Sequence, residues 1–378
     1  MSGVDPAVVA QIRRGRLPTV ERVEQVAATH TVRLGSEGSA QLREQLHTTL
    51  LGLGPLQELV ADERVSDVLV NGDRGVWVDR GRGLEATTVS LTDDRSLRRL
   101  AVRLAGLAGQ RLDDAAPYVD GLLPGGVRLH AVLPPLVEGA AHVSLRIPRR
   151  VVPALGDLRD WGMLDDDLAQ VLTALVRRQV SFVIGGGTGT GKTTLLAALL
   201  ALVPARERIV VVEDTRELRI AHPHVVHLQG RGPNVEGRGE ITLATLVRQS
   251  LRMRPDRLVL GEVRGAEVRE MLTALNTGHE GGCGTVHANS AGDVLARFEA
   301  LGALAGMDTA AVRAQVGSAI QVVVQLTRCD GVRRVHEVAV LQGRGAEAVV
   351  RPALTRGLAG MVTGPGHSEL RRLLDGSP

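Results

Sequence analysis

The chain contains 378 residues, 44% of them hydrophobic and 1% aromatic, and its net charge is +3 with acids and bases interleaved. This length predicts two domains with a short extension, whose cores must consist of Leu, Val and Ala. The sequence has no basic stripe, signal-peptide core, membrane-length apolar run or paired-cysteine motif, which argues against nucleic-acid, secreted, membrane and zinc proteins and favours a soluble protein of a reducing cytosol.

The N-terminal part of the chain predicts an extension followed by a small domain. Residues 1–48 predict an amphipathic helical extension, because Val20, Val23 and Val26 recur at helical spacing. Residues 49–147 predict an α+β domain that contains a β-hairpin turning at Asn71-Gly72. Its predicted strands are residues 65–70, 76–78, 127–133 and 143–147, and its predicted helix is 97–107.

The C-terminal part predicts a different architecture. Residues 148–156 are interpreted as a linker, and residues 157–378 as a domain in which strands alternate with helices. That alternation is typical of an α/β fold with a mainly parallel, doubly wound sheet. Strands are predicted at 181–184, 208–212 and 257–260, helices at 192–202, 243–253 and 266–275, and a hairpin at 321–326 and 333–341.

Between the first strand and helix of this domain lies a segment that fits the phosphate-loop pattern G-x-x-x-x-G-K-[ST]. Lys192 is the only lysine in the chain, since the other 44 of the 45 basic residues are arginines. A GC-rich genome explains why lysine is rare, whereas a compact ammonium between β- and γ-phosphate oxygens explains why this one is kept. Backbone N–H groups and the helix N-terminus would bind phosphate, and the Thr193 hydroxyl would bind Mg²⁺. The predicted nucleotide-binding residues are Gly186, Gly187, Thr188, Gly189, Thr190, Gly191, Lys192, Thr193 and Thr194.

Two acidic strand ends are expected at the same crevice as the phosphate loop. Glu262 follows the strand at 257–260, where a carboxylate can act as general base, although the position at which nucleotide hydrolases usually carry aspartate is Gly261. Glu213 and Asp214 follow the strand at 208–212 and are candidates for holding Mg²⁺ through water. The alternative for each of these acids is a helix cap or a solvated loop residue.

Residues 278–290 form a glycine-dense segment that carries His279 and His287. A histidine beside the γ-phosphate can sense charge or donate a hydrogen bond, and the alternative is an ordinary loop histidine. His222, His224 and His227 have no metal-ligand companion and are interpreted as structural.

Together these motifs resemble those of the bacterial secretion and pilus-assembly ATPases of type II and type IV machines. The similarity is greatest to the branch that serves tight-adherence (Flp) pili and to related archaeal and conjugative systems. It covers roughly residues 50–340. The motifs that carry it are residues 54–56, 67–72, 126–128, 144–146, 186–194, 212–218, 250–257, 261–265 and 278–290.

The resemblance implies a RecA-like P-loop ATPase core with a smaller N-terminal domain, assembled as a homohexameric ring that uses ATP and Mg²⁺. It assigns Glu262 as the catalytic acid and Glu213 as an aid at the metal or water, so Thr193, Glu213 and Glu262 would surround Mg²⁺. It places His287 near the γ-phosphate with His279 beside it. It further implies arginines that neutralise the leaving charge, for which Arg128 and Arg146 are the first candidates and Arg252 and Arg264 the next; each could instead be a surface arginine.

Two departures refine this reading. The four-cysteine module that type II members often carry is missing, and Gly282-Cys283 replaces an expected hydroxylated and apolar pair. The expected function is therefore a cytoplasmic ATP-hydrolysing motor, peripheral to the inner membrane, that acts on integral platform proteins of a pilus or secretion machine without sequence-specific nucleic-acid binding. The alternatives are a conjugation-type nucleic-acid translocase of the same fold and a nucleotide-binding scaffold without turnover.

Overall fold

The computed structural model describes residues 52–81, 83–91, 93–148, 152–233, 238–329, 331–343, 345–357 and 360–375. The described residues up to 148 form one compact unit, and those from 152 onward form a second. The predicted helical extension at residues 1–48 lies outside the described residues.

The first unit is an antiparallel sheet with one long helix. Its strands are β1 Asp67–Asn71, β2 Val76–Asp79, β3 Leu84–Ala86, β4 Tyr118–Leu122, β5 Arg128–Val132 and β6 His142–Arg146, and its helices are α1 Gln57–Ala61 and α2 Asp94–Leu107. The strand order is β3-β2-β1-β6-β5-β4. The predicted hairpin is confirmed, because β1 and β2 pair antiparallel with Val70 opposite Val76.

Helix α2 covers the core of this unit. It begins where the Asp93 carboxylate accepts hydrogen bonds from the N–H groups of Arg95 and Ser96, which have no acceptor inside the helix. Its buried residues recur at spacings of three and four and therefore share one face. They are Leu97, Leu100, Ala101, Leu104 and Ala105.

The second unit is a nine-stranded sheet flanked by helices. Its strands are β7 Phe182–Gly185, β8 Ile209–Glu213, β9 Val225–Gln229, β10 Arg257–Val263, β11 Cys283–Val286, β12 Val322–Cys329, β13 Val332–Gln342, β14 Val349–Arg356 and β15 Met361–Thr363. Its helices are α3 Leu155–Asp160, α4 Asp166–Arg177, α5 Lys192–Leu200, α6 Leu243–Ser250, α7 Val268–Leu275, α8 Asp293–Leu304, α9 Thr309–Ala319 and α10 His367–Asp375. Helix α3 thus begins inside the segment predicted as a linker.

The sheet combines a parallel centre with an antiparallel edge. Its order is β15-β14-β13-β12-β7-β11-β10-β8-β9, and the strands from β12 to β9 are all parallel to their neighbours. The predicted hairpin of β12 and β13 is confirmed by their antiparallel register. The sequence does not predict β9, β11, β14 and β15. Strands β9, β11 and β15 are only five, four and three residues long, and β14 contains Pro352, which disfavours a strand.

Both faces of the central sheet are buried. On β7, Phe182 and Ile184 pack into the core cluster on one face, while Val183 packs into the cluster on the other. This explains why the central strands consist of continuous apolar runs. Helix α5 is buried on every side from Leu195 to Leu200, and Lys192 at its start is also largely buried.

Parallel strands bring their carboxyl ends to one edge of the sheet. Strands β7, β8, β10 and β11 therefore deliver Gly185, Glu213, Val263 and Val286 to the same edge, where ligands bind in open α/β sheets. Among the helices within the described ranges, none is long and apolar enough to cross a membrane.

Candidate active site

The loop between β7 and α5 is shaped by its glycines and by one threonine. Gly189 and Gly191 have φ angles of 72° and 96°, which side-chain-bearing residues rarely adopt. The hydroxyl of Thr190 donates to the carbonyl oxygen of Gly187 at 2.9 Å, which closes the turn. Helix α5 starts immediately afterwards, so its first N–H groups, which have no acceptor within the helix, point toward the loop.

Lys192 is held inside this loop. Its side chain is only 8% exposed, and its Nζ donates to the carbonyl oxygens of Gly186 and Gly187, both at 2.9 Å. Burial lowers the pKa of the ammonium, and the negative charge of Glu262 acts in the opposite direction. This electrostatic interaction shows that the Lys192 ammonium and the Glu262 carboxylate lie close to each other.

Glu262 reaches that space because β10 carries an extra residue. The register runs from Leu260 opposite Gly284 to Val263 opposite Val286, so β10 advances by three residues while β11 advances by two. Such a bulge bends the strand and re-aims a side chain. The hydroxyl of Thr285 donates to the carbonyl oxygen of Gly261 at 2.6 Å and thereby satisfies the disrupted ladder.

Glu262 and His287 form a pair at the carboxyl ends of β10 and β11. Glu262 Oε1 lies 2.9 Å from His287 Nε2, and the two side chains are 36% and 40% exposed. Burial, and then the charge of Lys192, lower the pKa of His287, while the Glu262 carboxylate opposes them. The pair is thus accessible, sits beside the ammonium, and favours a neutral imidazole that holds one carboxylate oxygen.

Glu213 lies on the neighbouring strand in a different environment. It is buried, and its Oε1 accepts hydrogen bonds from the N–H groups of Glu217 at 3.1 Å and Leu218 at 2.9 Å. Its Oε2 lies 3.6 Å from His227 Nδ1, and neither atom has a hydrogen-bond partner within the described residues. A Cβ at Gly261 would come within 2.6 Å of the Glu213 Cγ, so the buried carboxylate occupies the space that an aspartate there would need.

The other predicted acids and histidines have local partners. Asp214 pairs with Arg264, one of the candidate arginines. His279 was expected beside His287, and this is wrong: it lies before β11 while His287 follows it, so the whole strand separates them. His279 Nδ1 instead contacts the carbonyl oxygen of Ala274 at the end of α7, at 3.3 Å.

The first-choice arginines lie in the first unit. Arg128 on β5 and Arg146 on β6 are directly opposite each other in the antiparallel register, so their side chains share one face of the sheet. Arg128 also pairs with Asp120 at 2.9 Å. In the second unit, the Arg252 guanidinium donates to the carbonyl oxygen of Arg248 at 3.4 Å.

Sequence reasoning missed several residues that frame the site. Thr285 supports the bulge, His227 borders Glu213, and Gln325 on β12 is a buried amide beside Gly185. An isolated glutamine inside the apolar run Val322–Leu326 is the signal that could have identified the last of these. Of the histidines interpreted as structural, His222 accepts a hydrogen bond at Nδ1 from the backbone N–H of His224, and its Nε2 contacts the carbonyl oxygen of Pro204.

The side-chain oxygens at this site suit a metal ion that binds together with the triphosphate of a nucleotide. In the part of the chain that the structure describes, no three His, Cys, Asp or Glu side chains are grouped so as to hold a metal alone. Mg²⁺ characteristically takes one or two protein oxygens together with substrate phosphates. The Thr193 hydroxyl in the first turn of α5 and the accessible Glu262 carboxylate suit that role better than Glu213. The Glu213 carboxylate is buried, and its Oε1 already accepts two backbone hydrogen bonds.

Comparison with known proteins identifies a family and several similar proteins. Residues 49–360 match the family described as Type II/IV secretion system protein. A putative conjugal transfer protein of Mycobacterium tuberculosis is 52% identical over 304 residues, which cover 79% of this chain and 86% of the relative. The type IV secretion system protein PtlH of Bordetella pertussis is 34% identical, over 65% of this chain and 79% of that protein.

A solved structure shares the fold. The ATPase DotB of Legionella pneumophila superposes with a TM-score of 0.55 at 22% identity, over 78% of this chain and 81% of that chain. This likeness confirms the predicted fold class, an α/β core with a smaller N-terminal α+β domain.

Proposed function

The chain belongs to the Type II/IV secretion system protein family, and on that premise we propose that it is an ATPase whose hydrolysis of ATP powers an envelope-spanning machine. The observation that carries this proposal is the accessible pair of Glu262 and His287, joined at 2.9 Å beside the lysine of a phosphate loop. A structural loop needs none of these three groups.

The residues divide the chemistry among them. Backbone N–H groups of the loop and of the first turn of α5 bind the β-phosphate, and Lys192 moves its ammonium from the loop carbonyls to the β- and γ-phosphate oxygens. Thr193 and Glu262 would hold a magnesium ion, which would neutralise phosphate charge. Glu262 orients a water for in-line attack on the γ-phosphorus and accepts its proton on the carboxylate oxygen that is free of His287.

His287 positions that carboxylate. A neutral imidazole can donate one hydrogen bond to Glu262 without removing its ability to accept a proton. The lowered pKa of His287 therefore serves the reaction. Glu213 stabilises the segment that follows β8 through the N–H groups of Glu217 and Leu218, and in this proposal it supports the metal site from behind.

Cationic help at the leaving phosphate completes the proposal. Arg128 and Arg146 are like charges directly opposite each other on the sheet, and although Asp120 pairs with Arg128, an anion that contacts both guanidinium groups would reduce their mutual repulsion. We assign them to the phosphates of a nucleotide, delivered from the N-terminal domain or from a neighbouring subunit of a homohexamer. Such an arginine can contribute about 10³–10⁵ in rate.

Membership of the family supports a proposal for the machine that this motor drives. We propose that the motor drives assembly of a pilus of the tight-adherence type, or secretion, by acting on integral inner-membrane platform proteins from the cytoplasmic side. A second candidate is transfer of nucleic acid, because the M. tuberculosis relative at 52% identity is described as a putative conjugal transfer protein. The scarcity of aromatic residues opposes it, since aromatic rings supply the surfaces on which the bases of a single strand stack.

The test compares three variants by nucleotide binding and phosphate release. Glu262→Gln should bind ATP like the unmodified protein and lose about 10²–10⁴ in turnover. Lys192→Ala should lose binding itself, and Glu280→Gln, an exposed acid before β11, should change neither. Unchanged turnover in Glu262→Gln would reject the assignment, and strong stimulation by single-stranded DNA would favour the conjugative candidate.

A further inference from the structure

We propose that Gln325 is a positioning residue, whose amide ties the peptide that follows His287 to the strand end from which the phosphate loop begins. The proposal rests on the proposed function of His287 and adds a residue to its machinery. Gln325 is 1% exposed on β12 and is the register partner of Gly185, the last residue of β7.

The amide spans three strands. Its Nε2 donates to the carbonyl oxygen of Ala288 at 3.0 Å. Ala288 lies two residues beyond Val286, where β11 ends, and Val286 is itself paired with Gly185. The side chain therefore starts on β12, crosses β7 at Gly185, and ends on the chain segment that follows β11.

The crossing requires a glycine at position 185. A Cβ at Gly185 would overlap Gln325 Oε1 and would also approach Val294 Cγ2 at 3.4 Å. The absent side chain at the end of β7 and the long amide on β12 are thus complementary. Any other residue at position 185 would displace the amide from Ala288.

The energetics argue that the amide is kept for its donor. Within the described residues, Gln325 Oε1 is buried without a hydrogen-bond partner, and a buried unsatisfied acceptor lowers stability. The flanking residues of β12 are apolar and buried, so an aliphatic residue would remove this cost. The one hydrogen bond that the amide does make fixes Ala288, and with it the adjacent His287 that contacts Glu262.

The experiment uses Gln325→Met, which keeps the side-chain length without a donor, and Val323→Ala as a matched control. Val323 is buried on the same strand, two residues earlier, and pairs with Val183. Gln325→Met should lower kcat by about ten- to a hundredfold, the effect of a catalytic group displaced by about 1 Å. Its affinity for a fluorescent ATP analogue should stay within about threefold, because Lys192 and Thr193 are intact. Val323→Ala should change neither quantity by more than about twofold.

Two further measurements separate positioning from lost stability. The double variant Gln325→Met/His287→Ala should have a kcat only slightly lower than that of Gln325→Met. In the double variant Val323→Ala/His287→Ala, the two fold-reductions in kcat should instead multiply. Amide hydrogen exchange over residues 286–290 should be faster in Gln325→Met only. Equal kcat in Gln325→Met and Val323→Ala, or multiplying costs with His287→Ala, overturns the proposal.

Gln325→Glu supplies a third readout, which is interpreted together with the hydrogen-exchange comparison. Burial raises the pKa of a carboxyl, and a protonated carboxyl can donate to Ala288 whereas an ionised one cannot. The kcat of Gln325→Glu relative to the unmodified protein should therefore rise as the pH falls, and a ratio independent of pH contradicts the tie. If the unmodified protein hydrolyses no ATP, the proposed function fails, and the hydrogen-exchange comparison alone decides the positioning role.

Discussion

Replacing Gly261 by alanine should disturb the buried carboxylate of Glu213 and, through it, the whole acidic edge of the sheet. The new Cβ would lie 2.6 Å from Glu213 Cγ and 3.0 Å from its Oε1. Glu213 cannot simply rotate away, because it is buried and its Oε1 accepts two backbone hydrogen bonds. Overpacking of this kind costs about 1–3 kcal/mol.

For a unit of this size, about 1 kcal/mol corresponds to about 2–4 °C in melting temperature. Gly261→Ala should therefore lower the melting temperature of the second unit by about 2–12 °C. It should also reduce kcat, because residue 261 belongs to the bulge that aims Glu262 at His287.

The matched control is Gly156→Ala in α3. A Cβ at Gly156 meets nothing within 4 Å, and its helical backbone suits alanine, so this variant should be equally stable or up to about 1 kcal/mol more stable. Differential scanning calorimetry and phosphate release measure both effects. If Gly261→Ala melts with Gly156→Ala and keeps full turnover, the steric reasoning about Glu213 is refuted.

Three other predictions concern charge and reactivity. Burial raises the pKa of the Cys283 thiol to about 12, so at pH 8 a disulfide reagent should modify only the exposed Cys329 in the folded chain and both cysteines after denaturation; rapid modification of both in the native state would contradict this. Arg257 is 2% exposed and pairs with Glu207 at 2.7 Å, so Arg257→Leu should cost about 3–5 kcal/mol in urea unfolding, against about 0.5 kcal/mol for the exposed Arg269→Leu. The pKa of His287 is lowered in the folded chain. As the pH falls through about 6.5, this histidine therefore binds a proton more readily in the unfolded chain than in the folded one, and the stability of the fold decreases. His287→Gln should accordingly flatten the fall in melting temperature between pH 7.5 and 5.5, and an unchanged slope would exclude that contribution.

The strand, glycine-rich loop and helix at residues 182–200 could be predicted because their geometry is local. Glycines at positions with positive φ, a lysine and a threonine at fixed spacing, and the flanking apolar strand and helix are all legible in one stretch of sequence. The helices α2 and α7 could also be predicted, since their buried faces repeat at helical spacing.

Contacts between segments that are distant in the sequence could not be predicted from local patterns. The contact of Glu262 with His287 depends on a bulge that shifts one strand by a residue, and no periodicity encodes such a shift. The sequence places His279 beside His287 because Cys283–Val286 resemble part of a glycine-rich loop, whereas these four residues form a central strand. Gln325 could not be identified from the sequence because its role depends on Gly185, its register partner on the neighbouring strand β7.

Helix α5 has a consequence for how the site can respond to its substrate. Because packing encloses this helix from Leu195 to Leu200 on every side, it cannot tilt or slide without disrupting the interior of the second unit. The partial positive charge at its first turn is thus fixed in direction before any phosphate arrives. Dipoles that are already oriented need no rearrangement as charge moves toward the leaving oxygen, so little of the activation barrier is spent on reorganising this part of the protein.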